Sequence, residues 1–277
     1  MTEQPGNFFE DFEVGGTLLH ATPRTITTGD TALYTALTGS RFALHSADTF
    51  AQACGLPGSP IDDVLVFHIV FGKTVPDVSL NAIANLGYAD GRFGVPVYPG
   101  DTLKTVSQVL GKRELSNGKA GVVWVRSTGT NQRDEMVLEY VRWVMVNKRD
   151  PASPAPEAQV PDLPEVVDAG SLQVPADLDL TGYDAVASGD GRGWNAYSVG
   201  EKIDHVDGMA IEEAEHQMAT RLYQNTAKVH FDLHRASETR FGKRIIYGGH
   251  IISLARALSF TGLANACRIV GLNGGRH

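Results

Sequence analysis

The chain has 277 residues, two cysteines and a formal net charge of −8, with 42% hydrophobic and 20% charged residues. This composition is typical of a soluble globular protein, and the acidic balance argues against nucleic-acid binding, which needs clustered lysine and arginine. No apolar stretch could span a membrane, no signal peptide is visible and the cysteines have no disulfide or metal spacing, which predicts a cytoplasmic protein without a membrane partner.

The first 149 residues predict an α+β domain. Strands are predicted over residues 24–27, 102–110, 121–127 and 135–146. Helices are predicted over residues 28–37, 48–54 and 62–73, the second of them capped by Asp48 and ended by Gly55. The third helix is apolar nearly all round and should be buried. The strands after it therefore predict a curved antiparallel sheet wrapped around that helix.

Residues 150–193 predict a linker between the first domain (1–149) and the rest of the chain (194–277). The segment has little hydrophobic periodicity and contains Pro151, Pro154, Pro156, Pro161, Pro164 and Pro175. Such a segment buries too little apolar surface to order itself alone. Its scattered aliphatic residues (Val166, Val167, Leu172, Val174, Leu178 and Leu180) are available to pack on a neighbouring domain.

The C-terminal part repeats the N-terminal part. Residues 12–63 align with 197–248 at a constant shift, so that His45 meets His230, and one residue drops out before Gly87 meets Gly271. A period of this length predicts two copies of one domain. The second copy ends before any counterpart of the three long strands. We expect those strands from further sequence, a companion chain or another subunit, because a buried helix without its sheet would expose a large apolar face.

Several runs resemble the MaoC-like hydratase family. They are YTALTGSRFALHSADTFAQACG, SPIDDVLVFHIVFG and PVYPGDTL in the first copy, and ATRLYQNTAKVHFDLHRASETRFGKRIIYGGHIIS in the second. The resemblance covers residues 7–149 and 194–277 and implies a double hot-dog fold, in which each antiparallel sheet wraps a central helix. It also implies a hydro-lyase without a cofactor, acting on a short, branched, dicarboxylic enoyl-CoA. A closer likeness within the family, carried by runs such as LVFHIVFGKTVPD and YGGHIISLARALSF, implies the reaction of mesaconyl-CoA to β-methylmalyl-CoA.

The family motif places the implied catalytic residues in the second copy. His230 falls on the catalytic histidine, Asp232 on the acidic residue that follows it, and Gly248 on the glycine that opens the central helix. Asn225 takes the position of the usual catalytic aspartate. In the first copy Ser40 and Asp63 replace the aspartate and the glycine, so we expect that copy to be non-catalytic although His45 keeps the histidine position.

Hydration needs proton transfer and a donor for the thioester oxygen. His230 is the expected proton-transfer group, because imidazole titrates near neutrality. The N–H of Gly248, at the positive end of a helix, is the expected oxyanion donor. Asn225 cannot exchange a proton, so it positions water or orients the imidazole. Whether His230 performs both proton steps, or shares them with Asp232 or a substrate carboxylate, is left open.

The substrate should carry a free carboxylate at the far end of its acyl group, in addition to the phosphates of CoA. Residues near the motif expected to contact it are Tyr247, Gly249, His250, Arg235, Arg240 and Arg244. Arginine recognises carboxylate and phosphate groups through paired hydrogen bonds. Which of these residues meets the carboxylate and which meets the phosphates is left open.

Other interpretations are weighed against hydration. A hot-dog acyl-CoA thioesterase and a non-catalytic acyl-CoA-binding subunit are the two alternatives. Without the repeat and the resemblance, His230 would be read as a structural histidine. The spacing of His230, Asp232 and His234 is too loose to predict a metal site. Hot-dog sheets usually pair, so we expect either a homodimer or pairing of the two copies within the chain.

Overall fold

The computed structural model of the chain describes residues 6–276. The first copy contains the strands β1 (Thr17–Leu19), β2 (Arg24–Thr25), β3 (Ala82–Phe93), β4 (Thr102–Glu114), β5 (Ala120–Thr130) and β6 (Met136–Asn147), and the helices α1 (Thr28–Thr38), α2 (Ala43–Ser46), α3 (Asp48–Ala53) and α4 (Asp63–Thr74). The second copy contains α5 (Glu213–Leu222), α6 (Leu233–Ser237), α7 (Gly248–Leu258), α8 (Phe260–Leu263) and β7 (Gly271–Arg276). A π-helical turn, Val75–Ser79, follows α4. Short 3-10 turns lie at Phe9–Asp11, Ala169–Ser171, Leu180–Gly182, Trp194–Ala196 and Lys228–His230.

The strands form one antiparallel sheet in the order β1-β4-β5-β6-β3-β7, with β2 beside β4. The sheet packs on α4, whose residues are all buried. An apolar helix covered on every side needs a sheet that curves around it. The predicted buried helix and the three long strands are therefore confirmed, as is the hot-dog class of the fold.

Strand β3 is the element that the sequence pattern missed. It contains Asn85, Gly87, Asp90 and Gly91, which are unfavourable in strands. Its pairing with β6 shifts register at three places for the same reason. Hydrogen bonds to β6 on one side and β7 on the other hold it in the sheet despite this composition.

The β3–β7 pair joins the two copies with local twofold symmetry. Gly87 pairs with Arg276, and Arg92 pairs with Gly271. In the sequence repeat Gly87 corresponds to Gly271 and Arg92 to Arg276. Gly87 therefore meets the counterpart of Arg92, and Arg92 meets the counterpart of Gly87. This is the self-complementary contact of a twofold dimer, formed here within one chain.

The linker contacts both copies, since the Val167 N–H donates to Asn273 Oδ1 on β7 at 3.0 Å. Gln159 donates its N–H to the Lys112 carbonyl on β4 at 2.9 Å, and Asp179 donates its N–H to the Cys54 carbonyl at 2.9 Å. Val167 is buried and Leu178 packs beside α3. Of the other aliphatic residues expected to pack, Val166, Val174 and Leu180 are exposed.

Two local details correct or limit the sequence analysis. The cap of α3 is Ala47 rather than Asp48, because the Asp48 carboxylate instead accepts the Ser59 N–H across the following loop at 2.9 Å. None of the helices within residues 6–276 is both long and apolar enough to cross a membrane.

Candidate active site at the junction of the two copies

A cavity of about 280 Å³ lies where the second copy's motif meets β3, β6 and α4 of the first copy. Six of the residues predicted for the site line it, namely Asn225, His230, Arg240, Tyr247, Gly248 and Gly249. The first copy contributes Phe71, Ser79, Asn85, Tyr88 and Arg142 among others. The site is therefore shared between the copies.

His230 is held by one backbone carbonyl. Its Nδ1–H donates to the Ile245 carbonyl at 3.0 Å, because a carbonyl oxygen can only accept. This bond fixes the tautomer and leaves the lone pair on Nε2. Burial lowers the pKa of His230, although the hydrogen bond to Ile245 acts in the opposite direction. The imidazole is therefore neutral near pH 7, which is the form that can accept a proton.

The equivalent histidine of the first copy has the same anchor but a different environment. The Nδ1–H of His45 donates to the Pro60 carbonyl at 3.0 Å, as His230 does to Ile245, and these two carbonyls are equivalent in the repeat. The Nε2 of His45 contacts the Cys267 carbonyl at 2.8 Å. Because both partners only accept, both ring nitrogens must carry a proton, so His45 is a cation.

In the first copy, the position equivalent to the active site is filled by residues 267–269 of the second copy. Asp63, which replaces the helix-opening glycine, accepts the Ile269 N–H at 2.8 Å and lies 3.4 Å from Arg268 Nη1. It also lies 3.6 Å from His45 Nε2. Although burial opposes it, the Asp63 carboxylate raises the pKa of His45 to about 9. This packing supports a structural role for His45.

Gly248 is the first residue of α7, as predicted, and Tyr247 precedes it as the cap. The first N–H groups of a helix have no acceptor within it, so they are available to a ligand oxygen. The N–H of Tyr247 donates to His216 Nε2 at 2.9 Å, which fixes the turn into the helix. Burial, with help from His230 and His250, lowers the pKa of His216 to about 4 and keeps it an acceptor.

His216 is a site residue that the sequence analysis missed. It lies on α5 at a position where the first copy has Thr31, so the repeat gives no signal for it. Only its contact with the turn before α7 reveals its role.

Asn225 and Asp232 have different surroundings. The Oδ1 of Asn225 accepts the Ala227 N–H at 3.0 Å, which leaves the amide NH₂ as the group that can face the cavity. The Asp232 carboxylate caps α6 by accepting the Arg235 N–H at 3.1 Å, and Asp232 does not line the cavity. The structure therefore brings Asn225, but not Asp232, to His230.

Of the basic residues predicted to bind the substrate, only Arg240 lines the cavity. Arg240 is exposed at the cavity and stacks on Phe241, with 4.7 Å from its Cζ to the ring centre. Arg244 pairs with Glu213, and Arg235 pairs with Glu238 and lines a neighbouring groove. His250 is buried, bonded to the Tyr223 hydroxyl at 3.1 Å, and does not line the cavity.

The chemistry of the site follows from its lining. No aspartate or glutamate lines the cavity among residues 6–276, and no group of three potential metal ligands occurs in the same range. The cavity combines one neutral imidazole, the primary amides of Asn85 and Asn225, and a helix N-terminus. Such a set can transfer a proton beside a polarised carbonyl oxygen.

Comparison with known sequences points to one family. The family model described as MaoC like domain matches residues 11–131. The chain is 66% identical over 273 residues to beta-methylmalyl-CoA dehydratase of Chloroflexus aurantiacus, which covers 99% of this chain and 78% of that protein. It is 59% identical over 277 residues to mesaconyl-CoA hydratase of Cereibacter sphaeroides, covering 100% of this chain and 80% of that protein.

Solved structures give the same result. A putative MaoC domain protein dehydratase from Chloroflexus aurantiacus superposes with a TM-score of 0.97 at 65% identity, covering 100% of this chain and 79% of that chain. A Mycobacterium tuberculosis protein described as having a double hotdog fold superposes with a TM-score of 0.72 at 25% identity, covering 96% and 79%.

Proposed function

Because the chain belongs to the MaoC-like dehydratase family, we propose that it catalyses the reversible hydration of mesaconyl-CoA to β-methylmalyl-CoA. One observation carries the proposal more than any other. The cavity holds a neutral histidine whose Nε2 is free of any partner among residues 6–276, beside the N-terminus of a helix. The names of the two relatives supply the substrate.

The proposed forward reaction adds water across the conjugated C=C bond. The Nε2 of His230 accepts a proton from water, positioned by the Asn225 amide, while the water oxygen bonds to the β-carbon. The π electrons move towards the thioester carbonyl, and its oxygen becomes negative beside the Gly248 N–H. The protonated His230 then gives its proton to the α-carbon, which restores the neutral imidazole. Dehydration is the reverse sequence.

The proposal assigns both proton steps to His230. The capping bond of Asp232 to the Arg235 N–H and its position outside the cavity lining support this assignment. Asn225 then acts only by positioning water, since an amide does not exchange protons near neutral pH. Loss of one oxyanion donor such as the Gly248 N–H typically costs about 3 kcal/mol of barrier.

Two other functions differ in their products. A thioesterase would direct water to the thioester carbon, and a binding subunit would leave the substrate unchanged. The described cavity lining contains no carboxylate of the kind a thioesterase would use. His230 is the group in that lining suited to accept a proton, which favours hydration.

The test is to incubate the protein with mesaconyl-CoA and follow both the enoyl-thioester absorbance and free thiol. We expect the absorbance to fall without thiol release. Thiol release in proportion to substrate loss would instead identify a thioesterase. Tight binding with no change in either signal would identify a non-catalytic subunit.

The proposal also includes a cytoplasmic location and pairing of the chain into a homodimer. The free Cys54 and Cys267 support the first, since disulfides are rare in that compartment. Half-exposed Ile251 and Ile252 on α7 support a covering element there, either a second copy of the chain or strands supplied from elsewhere. Sedimentation measurement of the mass in solution tests the pairing.

A further inference from the structure

We infer that Arg142, on β6 of the first copy, binds the distal carboxylate of the substrate. The inference rests on the proposed function and adds the residue that would select a dicarboxylic acyl group. The first copy would thus have lost its own chemistry but would supply the specificity of its neighbour's site.

Arg142 is a buried cation with only neutral partners. Its side chain is completely buried, yet it lines the same cavity as His230. Its Nη2 donates to Thr74 Oγ1 at 2.7 Å and to Ser79 Oγ at 3.3 Å. No carboxylate lies within 4.0 Å of its nitrogens anywhere in residues 6–276, and its Nε–H has no acceptor. A buried charge is expensive unless it is paired, which indicates an anion that arrives with the ligand.

A second group in the same cavity points to the same ligand. Both polar side-chain atoms of Asn85 are buried without a hydrogen-bond partner, and Asn85 also lines the cavity. The Asn85 NH₂ and the Arg142 Nε–H are therefore two unsatisfied donors. A carboxylate, which only accepts, complements both of them.

The phenyl ring of Phe71 holds the guanidinium in place. The Cζ of Arg142 lies 4.4 Å from the ring centre. The stack fixes the plane of the guanidinium, and the hydrogen bonds to Thr74 and Ser79 hold its Nη end, which leaves the Nε–H for a ligand. A guanidinium held in this way binds a carboxylate at little further ordering cost.

The other arginines near the site are less suited to this role. Arg235 and Arg244 already pair with glutamates, and Arg240 is exposed. An exposed cation at the mouth suits the phosphates of CoA, which stay close to water. The two polar ends of the acyl group would thus contact different copies, with the thioester oxygen at Gly248 and the carboxylate at Arg142.

The experiment compares two saturated analogues that bind without reacting. Methylsuccinyl-CoA carries the distal carboxylate, and 2-methylbutyryl-CoA has a methyl group in its place. For Arg142→Met we expect calorimetry to show about 100-fold weaker binding of methylsuccinyl-CoA, the loss of a charge-assisted pair. Binding of 2-methylbutyryl-CoA should change by less than about threefold. Arg240→Met is the matched control and should weaken both analogues equally.

The outcomes separate this inference from the proposed function. If wild type hydrates mesaconyl-CoA but Arg142→Met weakens both analogues equally, or neither, then the inference is wrong and the function stands. If wild type neither hydrates mesaconyl-CoA nor binds either analogue, the proposed function fails. Should Arg142→Met not fold, Asn85→Asp places a negative charge in the same cavity and must selectively weaken methylsuccinyl-CoA. Equal effects of that variant on both analogues would overturn the inference.

Discussion

His45 and His230 show how one residue acquires two roles in a duplicated chain. Both donate Nδ1–H to a carbonyl at 3.0 Å, and those carbonyls are equivalent in the repeat. The difference lies at the other nitrogen. The Nε2 of His45 contacts the Cys267 carbonyl, whereas that of His230 has no partner within residues 6–276. One ring is therefore a buried cation and the other is a neutral base.

Paired substitutions test this assignment. We expect His230→Gln to lower kcat for hydration of mesaconyl-CoA by about 10³-fold, within the range for loss of a general base. His45→Gln should keep kcat within a few-fold, because that ring does not line the cavity. The enoyl-thioester absorbance measures both variants. Equal losses in the two would contradict the assignment of His230 as the base and His45 as a structural cation.

His230 should also determine the pH dependence of activity. Burial lowers the pKa of His230, so the neutral base persists below the ordinary histidine range near pH 6.5. We expect kcat/KM for mesaconyl-CoA to stay constant down to a pH below 6.5 and to fall only at more acidic values. A half-maximal rate above pH 7 on the acid side would contradict a buried, neutral His230.

At the scale of elements, β3 is the strand through which the two copies meet. It lies between β6 and β7 and also contributes Asn85 and Tyr88 to the cavity. Its Gly87 allows a close approach of neighbouring groups. A Cβ there would lie 2.3 Å from the Trp143 ring and 2.6 Å from the Gly275 carbonyl oxygen.

The close approach at Gly87 predicts an effect on stability. Gly87→Ala should lower the free energy of unfolding by about 1–3 kcal/mol, the usual cost of overpacking. Gly275→Ala on the facing strand is the control, since a Cβ there meets nothing within 4 Å, and it should change stability by less than about 0.5 kcal/mol. Urea denaturation measures both variants. Equal stability of the two would show that β3 and β7 can separate without cost.

At the scale of the whole molecule, each copy completes the other. The segment Cys267–Ile269 of the second copy closes the unused site of the first by binding His45 and Asp63. In return, β3 and β6 of the first copy form a wall of the second copy's cavity. The duplication therefore produces one working site and one structural junction from two equivalent positions.

The junction at His45 should make global stability depend on pH. The pKa of His45 is raised to about 9 in the folded protein, so the folded state binds the proton more tightly than the unfolded chain. The resulting stability is complete below about pH 6.5 and is lost as pH rises through about 9. Its maximum is about 3 kcal/mol, from the usual value per pKa unit.

The difference between wild type and His45→Gln isolates this effect. Lys73, whose pKa burial lowers to about 8, titrates in the same range but contributes equally to both proteins. We expect the difference in unfolding free energy to shrink steadily between pH 6.5 and 9.5 in urea titrations. A difference that stays constant over that range would show that His45 is not protonated in the folded protein.

Sequence patterns alone identified the features that depend on neighbours along the chain or on the repeat. They located the buried helix α4, the strands β4, β5 and β6, and the duplication itself, because hydrophobic periodicity and self-similarity are local signals. The repeat and the family motif also named His230, Asn225 and Gly248, which line one cavity.

Only the tertiary structure decided which distant residues share a site. Asp232 is a helix cap rather than a cavity residue, and His216 and Arg142 are brought to the motif by packing. Strand β3 forms in spite of its composition because it is paired on both sides. Contacts between residues far apart in sequence leave no periodic pattern, so burial, strand pairing and the approach of the two copies are set only by the tertiary fold.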